Sequence, residues 1–127
     1  MSRLWLTAYA LACASDSLAL SADLRHRPMV AFAPVNVVFI LHLSGDREQM
    51  YCPGLEWDFG DGSKSGQESD CEPYSPEVEV QTRHTAQHAY GGGGEYNVKV
   101  RGSKAGKTLF VAGTVVTVHS GIGCQHE

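Results

Sequence analysis

Apolar and polar residues alternate with a period of two along much of this chain, and that period predicts strands. Tyr96, Val98 and Val100 interleave with Asn97, Lys99 and Arg101, the pattern of a strand with one face on a core and the other in water. Val78 and Val80 alternate with Glu77, Glu79 and Gln81 in the same way and predict another half-wet strand. Residues 29–43 are the longest β-prone stretch. Pro34 divides them and is tolerated only at an edge or a crossover, so 29–33 and 35–43 are expected to be separate strands. Within 35–43, Val37, Phe39, Leu41 and Leu43 share one face while Val38 and Ile40 occupy the other, so something is expected to cover both faces. Residues 54–59 and 108–119 predict two more strands. Ser44-Gly45-Asp46 and residues 102–106 read as turns, 63–70 as irregular chain, and Arg25-His26-Arg27-Pro28 as a polar approach to the first strand. No segment has a convincing amphipathic helical period. About seven short strands separated by turn signals predict an all-β fold of two antiparallel sheets packed as a sandwich.

A chain of 127 residues has room for one domain with one core. The formal charge of −4 supplies no basic field for nucleic acid, and no Lys/Arg run suggests an anionic membrane surface. The N-terminus carries one arginine, Arg3, then an apolar run from Leu4 to Ala12 and small-x-small sites at Ala12-Cys13-Ala14 and Leu20-Ser21-Ala22. Residues 1–22 therefore read as a leader resembling a secretory signal peptide, too short for a transmembrane span, or as an apolar N-terminal arm that is kept. Residues 23–120 are expected to form the sandwich and 121–127 a tail.

The four cysteines are Cys13, Cys52, Cys71 and Cys124. Cys52 precedes the tryptophan strand and Cys71 follows the turn after it, so a disulfide between them would tie down the segment between; a loop of that size is worth about 3 kcal/mol in the chain-entropy model. The alternative is two separate buried thiols. A second bridge, Cys13 to Cys124, would join an arm to the tail. No C-x₂-C pair exists, so the spacing is not that of a zinc site.

Trp57-Asp58-Phe59-Gly60-Asp61-Gly62 is the most specific stretch. An aromatic-ended strand runs into a turn in which Asp58 and Asp61 can accept backbone N–H groups and Gly60 and Gly62 can take positive φ. His88-Ala89-Tyr90 and Gly94-Glu95-Tyr96 follow. Together, over about residues 29–119, these segments resemble the PKD (polycystic kidney disease) domain, an immunoglobulin-like β-sandwich with the pattern WDFGDG, then H-x-Y, then G-x-Y. The resemblance implies that Trp57, Asp58, Gly60, Asp61, Gly62, His88, Tyr90 and Tyr96 are structural, with His88 near the turn. Tyr96 also resembles the tyrosine corner of sandwich folds.

Candidate chemistry is sparse. His84 and His88 have the i, i+4 spacing of metal ligands on a helix, but on a strand they lie about 13 Å apart, too far for one ion. Asp58, Asp61 and Asp70 are candidate calcium ligands, because they crowd near one turn and because some PKD-like domains bind calcium. No nucleophile elbow is present, so no catalytic residue and no enzymatic activity are expected. Asn36 and Asn97 are not in Asn-x-Ser/Thr sequons. The resemblance implies a solitary bacterial secreted form, extracellular or at the cell surface. Its expected work is structural or adhesive, with partners in copies of itself (a homo-oligomer or fibre built through the arm or an edge strand) or in other cell-surface proteins or glycans. The alternative is a monomeric glycan- or protein-binding accessory module, for which Tyr51, Tyr74 and Tyr90 form a thin aromatic platform; a hydrolase-associated fragment is a third reading.

Overall fold

The computed structural model describes residues 20–120. The arm or leader up to residue 19, the tail 121–127, Cys13 and Cys124 lie outside the described residues. Eight strands form two sheets: β1 (Leu20–Arg27), β3 (Val35–Gly45) and β6 (Arg83–Tyr90) in the order β1-β3-β6, and β2 (Ala31–Phe32), β4 (Gly54–Asp58), β5 (Lys64–Gln67), β7 (Gly94–Lys104) and β8 (Lys107–His119) in the order β2-β8-β7-β4-β5. Neighbours pair antiparallel except β2 with β8, which run parallel. The sheets share one core. Phe39 on β3 packs 6.2 Å from the ring of Trp57 on β4 and 5.7 Å from that of Phe59, with Val37, Leu41, Val98, Val100 and Val116 around them. The alternation of β7 and of β8 places Val98 and Val100, and Phe110, Ala112, Val116 and Val118, on this inner face.

Several sequence expectations are corrected. Residues 25–27 are not a polar approach but, with residues 20–24, form one strand, β1, because Leu20, Ala22, Leu24 and His26 alternate onto the core side and pair along β3. His26 is buried beside Phe39, their ring centroids 6.4 Å apart. Of 29–33 only Ala31–Phe32 is strand, cut short by Pro34. The second apolar face of β3 needs no extra element at Ile40: β3 is the central strand, and Ile40 is buried between its register partners Arg25 and Thr85, where an arginine stem can cover it.

Val78 and Val80 are not in a strand. The Val78 N–H donates to the Ser75 carbonyl and the Val78 carbonyl accepts from Arg47 Nη2, so this backbone is used in a turn and a side-chain contact while Val80 packs on the core. The segment expected to be irregular instead contains β5, which has no buried residue and is held by the ladder on β4. The hairpin loop expected at 102–106 narrows to Ala105-Gly106, because β7 continues to Lys104. One helical turn, α1 (Arg47–Met50), follows Asp46, whose side chain accepts the Gln49 N–H. Cys52 and Cys71 are bonded through sulfur, 19 positions apart, with Cα atoms 6.4 Å apart.

Candidate functional site

The WDFGDG turn leaves β4 with Trp57 turned into the core at 4% exposure. Beyond Asp58 the chain reverses: the Phe59 N–H donates to the Ser63 carbonyl, Asp58 Oδ1 accepts the Gly60 N–H at 3.0 Å, and Asp61 Oδ1 accepts the Ser63 N–H at 3.0 Å. Gly60 sits at φ 84°, and a Cβ there would lie 2.6 Å from the backbone oxygen of Asn97. No side chain fits between this turn and β7. Gly62 also has positive φ, 95°, but open space around it.

The H-x-Y segment of β6 reaches this turn from the other sheet. His88 Nε2 donates to Asp61 Oδ2 at 2.8 Å, since an ionised carboxylate can only accept. The His88 ring stacks on Phe59 with centroids 4.3 Å apart and planes 2° from parallel. Two residues on, buried Tyr90 donates its hydroxyl to the Phe59 carbonyl at 2.7 Å. Tyr90 stacks in turn on Tyr96, 4.3 Å between centroids, and Tyr96 donates to the Gly92 carbonyl at 2.7 Å. One continuous run of contacts thus links β6, the turn and β7.

The electrostatics follow from these contacts. The hydrogen bond from His88 holds the Asp61 carboxyl below the usual carboxylate range against the opposing effect of burial, with help from the Ser63 N–H. Burial pushes the Tyr90 hydroxyl well above the usual phenol range, and the charges of Asp61, Tyr96 and Asp58 act in the same direction. Tyr90 is therefore a donor at any ordinary pH. Burial lowers His84, which lies four residues before His88 on β6.

The structure brings Trp57, Asp58, Gly60, Asp61, Gly62, His88, Tyr90 and Tyr96 into one region. It leaves Asp70 apart, exposed beyond the end of β5. Among the described residues no three His, Cys, Asp or Glu side chains are grouped to hold a metal ion. Phe59 is the residue that sequence reasoning passed over: its carbonyl receives Tyr90 and its ring receives His88. Its place inside WDFGDG was the available signal.

The surface carries two further features. Tyr51 and Tyr74 pack edge to face, 5.6 Å between centroids, beside the disulfide, with Lys104 over the Tyr51 ring and the Tyr51 hydroxyl bound to the Glu72 carbonyl. Tyr90 is buried and does not belong to such a platform. On the outer face of the five-stranded sheet, an open groove runs past Glu56, Asp58, Lys64, Lys99, Arg101 and Val111, with Arg101 Nη2 2.9 Å from Glu56 Oε1. In comparisons with known proteins, no family model and no curated protein matches the chain. No helix among the described residues is long and apolar enough to cross a membrane.

Proposed function

We propose that this chain is a non-enzymatic, extracellular structural or adhesive module with a PKD-like, immunoglobulin-like fold, and that it self-associates. The strand order supports the fold. β8-β7-β4 corresponds to the G-F-C sheet of immunoglobulin-like sandwiches, β1-β3-β6 to A-B-E, and the parallel pairing of β2 with β8 to a first strand that switches sheets.

The observation that carries the functional reading is the interlock at the turn. Asp58, Asp61, His88, Tyr90 and Tyr96 are the motif's chemistry-bearing side chains, and each is bound to backbone or to another of the five. They act as scaffold, and function is left to the surface. That surface has apolar residues to offer: Phe32, Val111 and Val115 are more than half to about half exposed at 58%, 60% and 49%, with Phe32 beside β8 and the two valines on its outward-alternating positions. The Cys52–Cys71 bridge fits an oxidising compartment.

Light scattering on gel-filtered, oxidised full-length protein tests this reading. A mass that rises with loading concentration is expected; a constant monomer mass would refute it. The second reading, a monomeric glycan-binding module, has the half-buried Tyr51–Tyr74 pair in its favour, since an aromatic ring with one accessible side can stack on a sugar. It requires that Tyr51→Ala with Tyr74→Ala abolish retention on a glycan the wild type binds.

A further inference from the structure

We propose that β6 pairs antiparallel with β6 of a second copy of this chain, joining two three-stranded sheets into one continuous six-stranded sheet. The inference deepens the self-association reading and rests on it. Its basis is the direction of the backbone groups. Leu43 N–H donates to the Thr82 carbonyl, and the register continues as Leu41 with His84, Phe39 with Ala86 and Val37 with His88. In an antiparallel ladder the residues bonded to one neighbour alternate with residues whose N–H and C=O point the other way. Arg83, Thr85, Gln87 and Ala89 therefore aim their backbone groups away from β3. Among the described residues, one hydrogen bond reaches that edge: Gln81 Nε2 donates to the Arg83 carbonyl.

The edge is left open by the way the chain arrives. The connection from β5 to β6 is pinned at the α1 end of the molecule, by Cys71 to Cys52, by the Glu72 carbonyl to Tyr51 and by the Val78 carbonyl to Arg47. It has no backbone hydrogen bond to Thr85, Gln87 or Ala89. The other edges are guarded. β1 carries Asp23, Arg25 and Arg27 and lies against β8, the end of β8 is covered by β2, and β5 is four residues long with Gly66 in it. β6 has no proline, glycine, lysine or carboxylate to discourage pairing.

The occupant is a second copy because the edge complements itself. A two-fold axis at Ala86 sets Thr85 opposite Gln87 and Arg83 opposite Ala89, so outward-pointing residues of one strand meet outward-pointing residues of the other throughout. The formal charge on β6 is at Arg83, and this register holds the two copies of Arg83 about 20 Å apart, beyond the screening length of ordinary salt. Any other centre shortens the ladder.

The test combines sedimentation velocity with amide hydrogen exchange on the oxidised full chain. In the wild type, exchange at Thr85, Gln87 and Ala89 slows as concentration rises. Thr85→Glu with Gln87→Glu sets carboxylates against each other across the axis and raises the dimer dissociation constant about tenfold or more. Thr85→Lys with Gln87→Glu sets opposite charges there and stays within about threefold of the wild type or binds more tightly. The second variant substitutes the same two exposed sites, so it also controls for folding, and the wild-type exchange needs no variant.

Association indifferent to both pairs of substitutions, or slowed amides on another strand, would overturn β6 pairing while leaving self-association intact. Protection at these amides that is full in dilute samples and independent of concentration would mean that something other than a second copy covers the edge, and would also overturn it. A wild type that is monomeric at every concentration would remove both readings.

Discussion

His88 Nε2 lies 2.8 Å from Asp61 Oδ2, so a strand of the three-stranded sheet grips the turn that ends a strand of the five-stranded sheet. The two side chains are 18% and 26% exposed, sheltered enough for the bond to resist water yet open enough to be screened. A double-mutant cycle of Asp61→Ala and His88→Ala by urea denaturation is expected to give a coupling of about 1–2 kcal/mol. Strict additivity would show that the contact does not hold the sheets.

Acid should weaken the fold in two stages. His84 is lowered by burial, so the unfolded chain binds its proton first; this stability is complete above about pH 6.5 and is lost as pH falls towards the folded value. Asp61 is lowered chiefly by His88, so its share is complete above about pH 4 and disappears below that. Denaturation midpoints followed from neutral to acid pH should show both limbs, with His84→Gln flattening the upper and Asp61→Asn the lower.

Trp57 is 4% exposed and packs against Phe39 of the facing sheet. Trp57→Ala is expected to cost about 3–5 kcal/mol by the loss of buried contacts and the cavity left behind. Chemical denaturation measures it, and a cost below about 1 kcal/mol would contradict the burial.

Gly60 and Gly62 share positive φ but differ in room, which separates backbone strain from steric exclusion. Gly62→Ala is expected to cost about 1–2 kcal/mol for its conformation alone. Gly60→Ala should cost clearly more, because its Cβ meets the backbone of Asn97, which cannot swing away as a side chain could. Equal losses of thermal stability would show that the turn does not seat against β7.

The β7–β8 hairpin turns on Ala105-Gly106 with φ of 51° and 77°, both positive, as a type I′ turn requires. Alanine is a poor occupant of its position. Ala105→Asn is expected to stabilise by about 0.5–1 kcal/mol, read as a raised thermal midpoint.

How much of this was legible in the sequence depends on where each signal lies. β3, β7 and β8 carry their apolar faces in plain alternation, and Pro34 marked a real break. β5 was hidden because Lys64-Ser65-Gly66-Gln67 has no apolar residue; its strand character is lent by the β4 ladder. Val78 and Val80 show the converse, an alternating pattern whose backbone is used elsewhere. β1 could have been found, since Leu20, Ala22, Leu24 and His26 alternate, but the strand was masked by its likeness to the end of a leader. At the turn, the motif marked the participants, while the Tyr90 bond to the Phe59 carbonyl spans 31 positions and joins two sheets, which no local pattern encodes.

Sedimentation velocity on the wild type and on His88→Ala, both folded, at matched concentrations, tests most directly the claim that the motif holds the scaffold while the surface does the work. The account predicts that His88→Ala lowers the unfolding midpoint yet sediments as the same concentration-dependent mixture as the wild type. A wild type that stays monomeric throughout, or a folded His88→Ala that no longer associates, would contradict it.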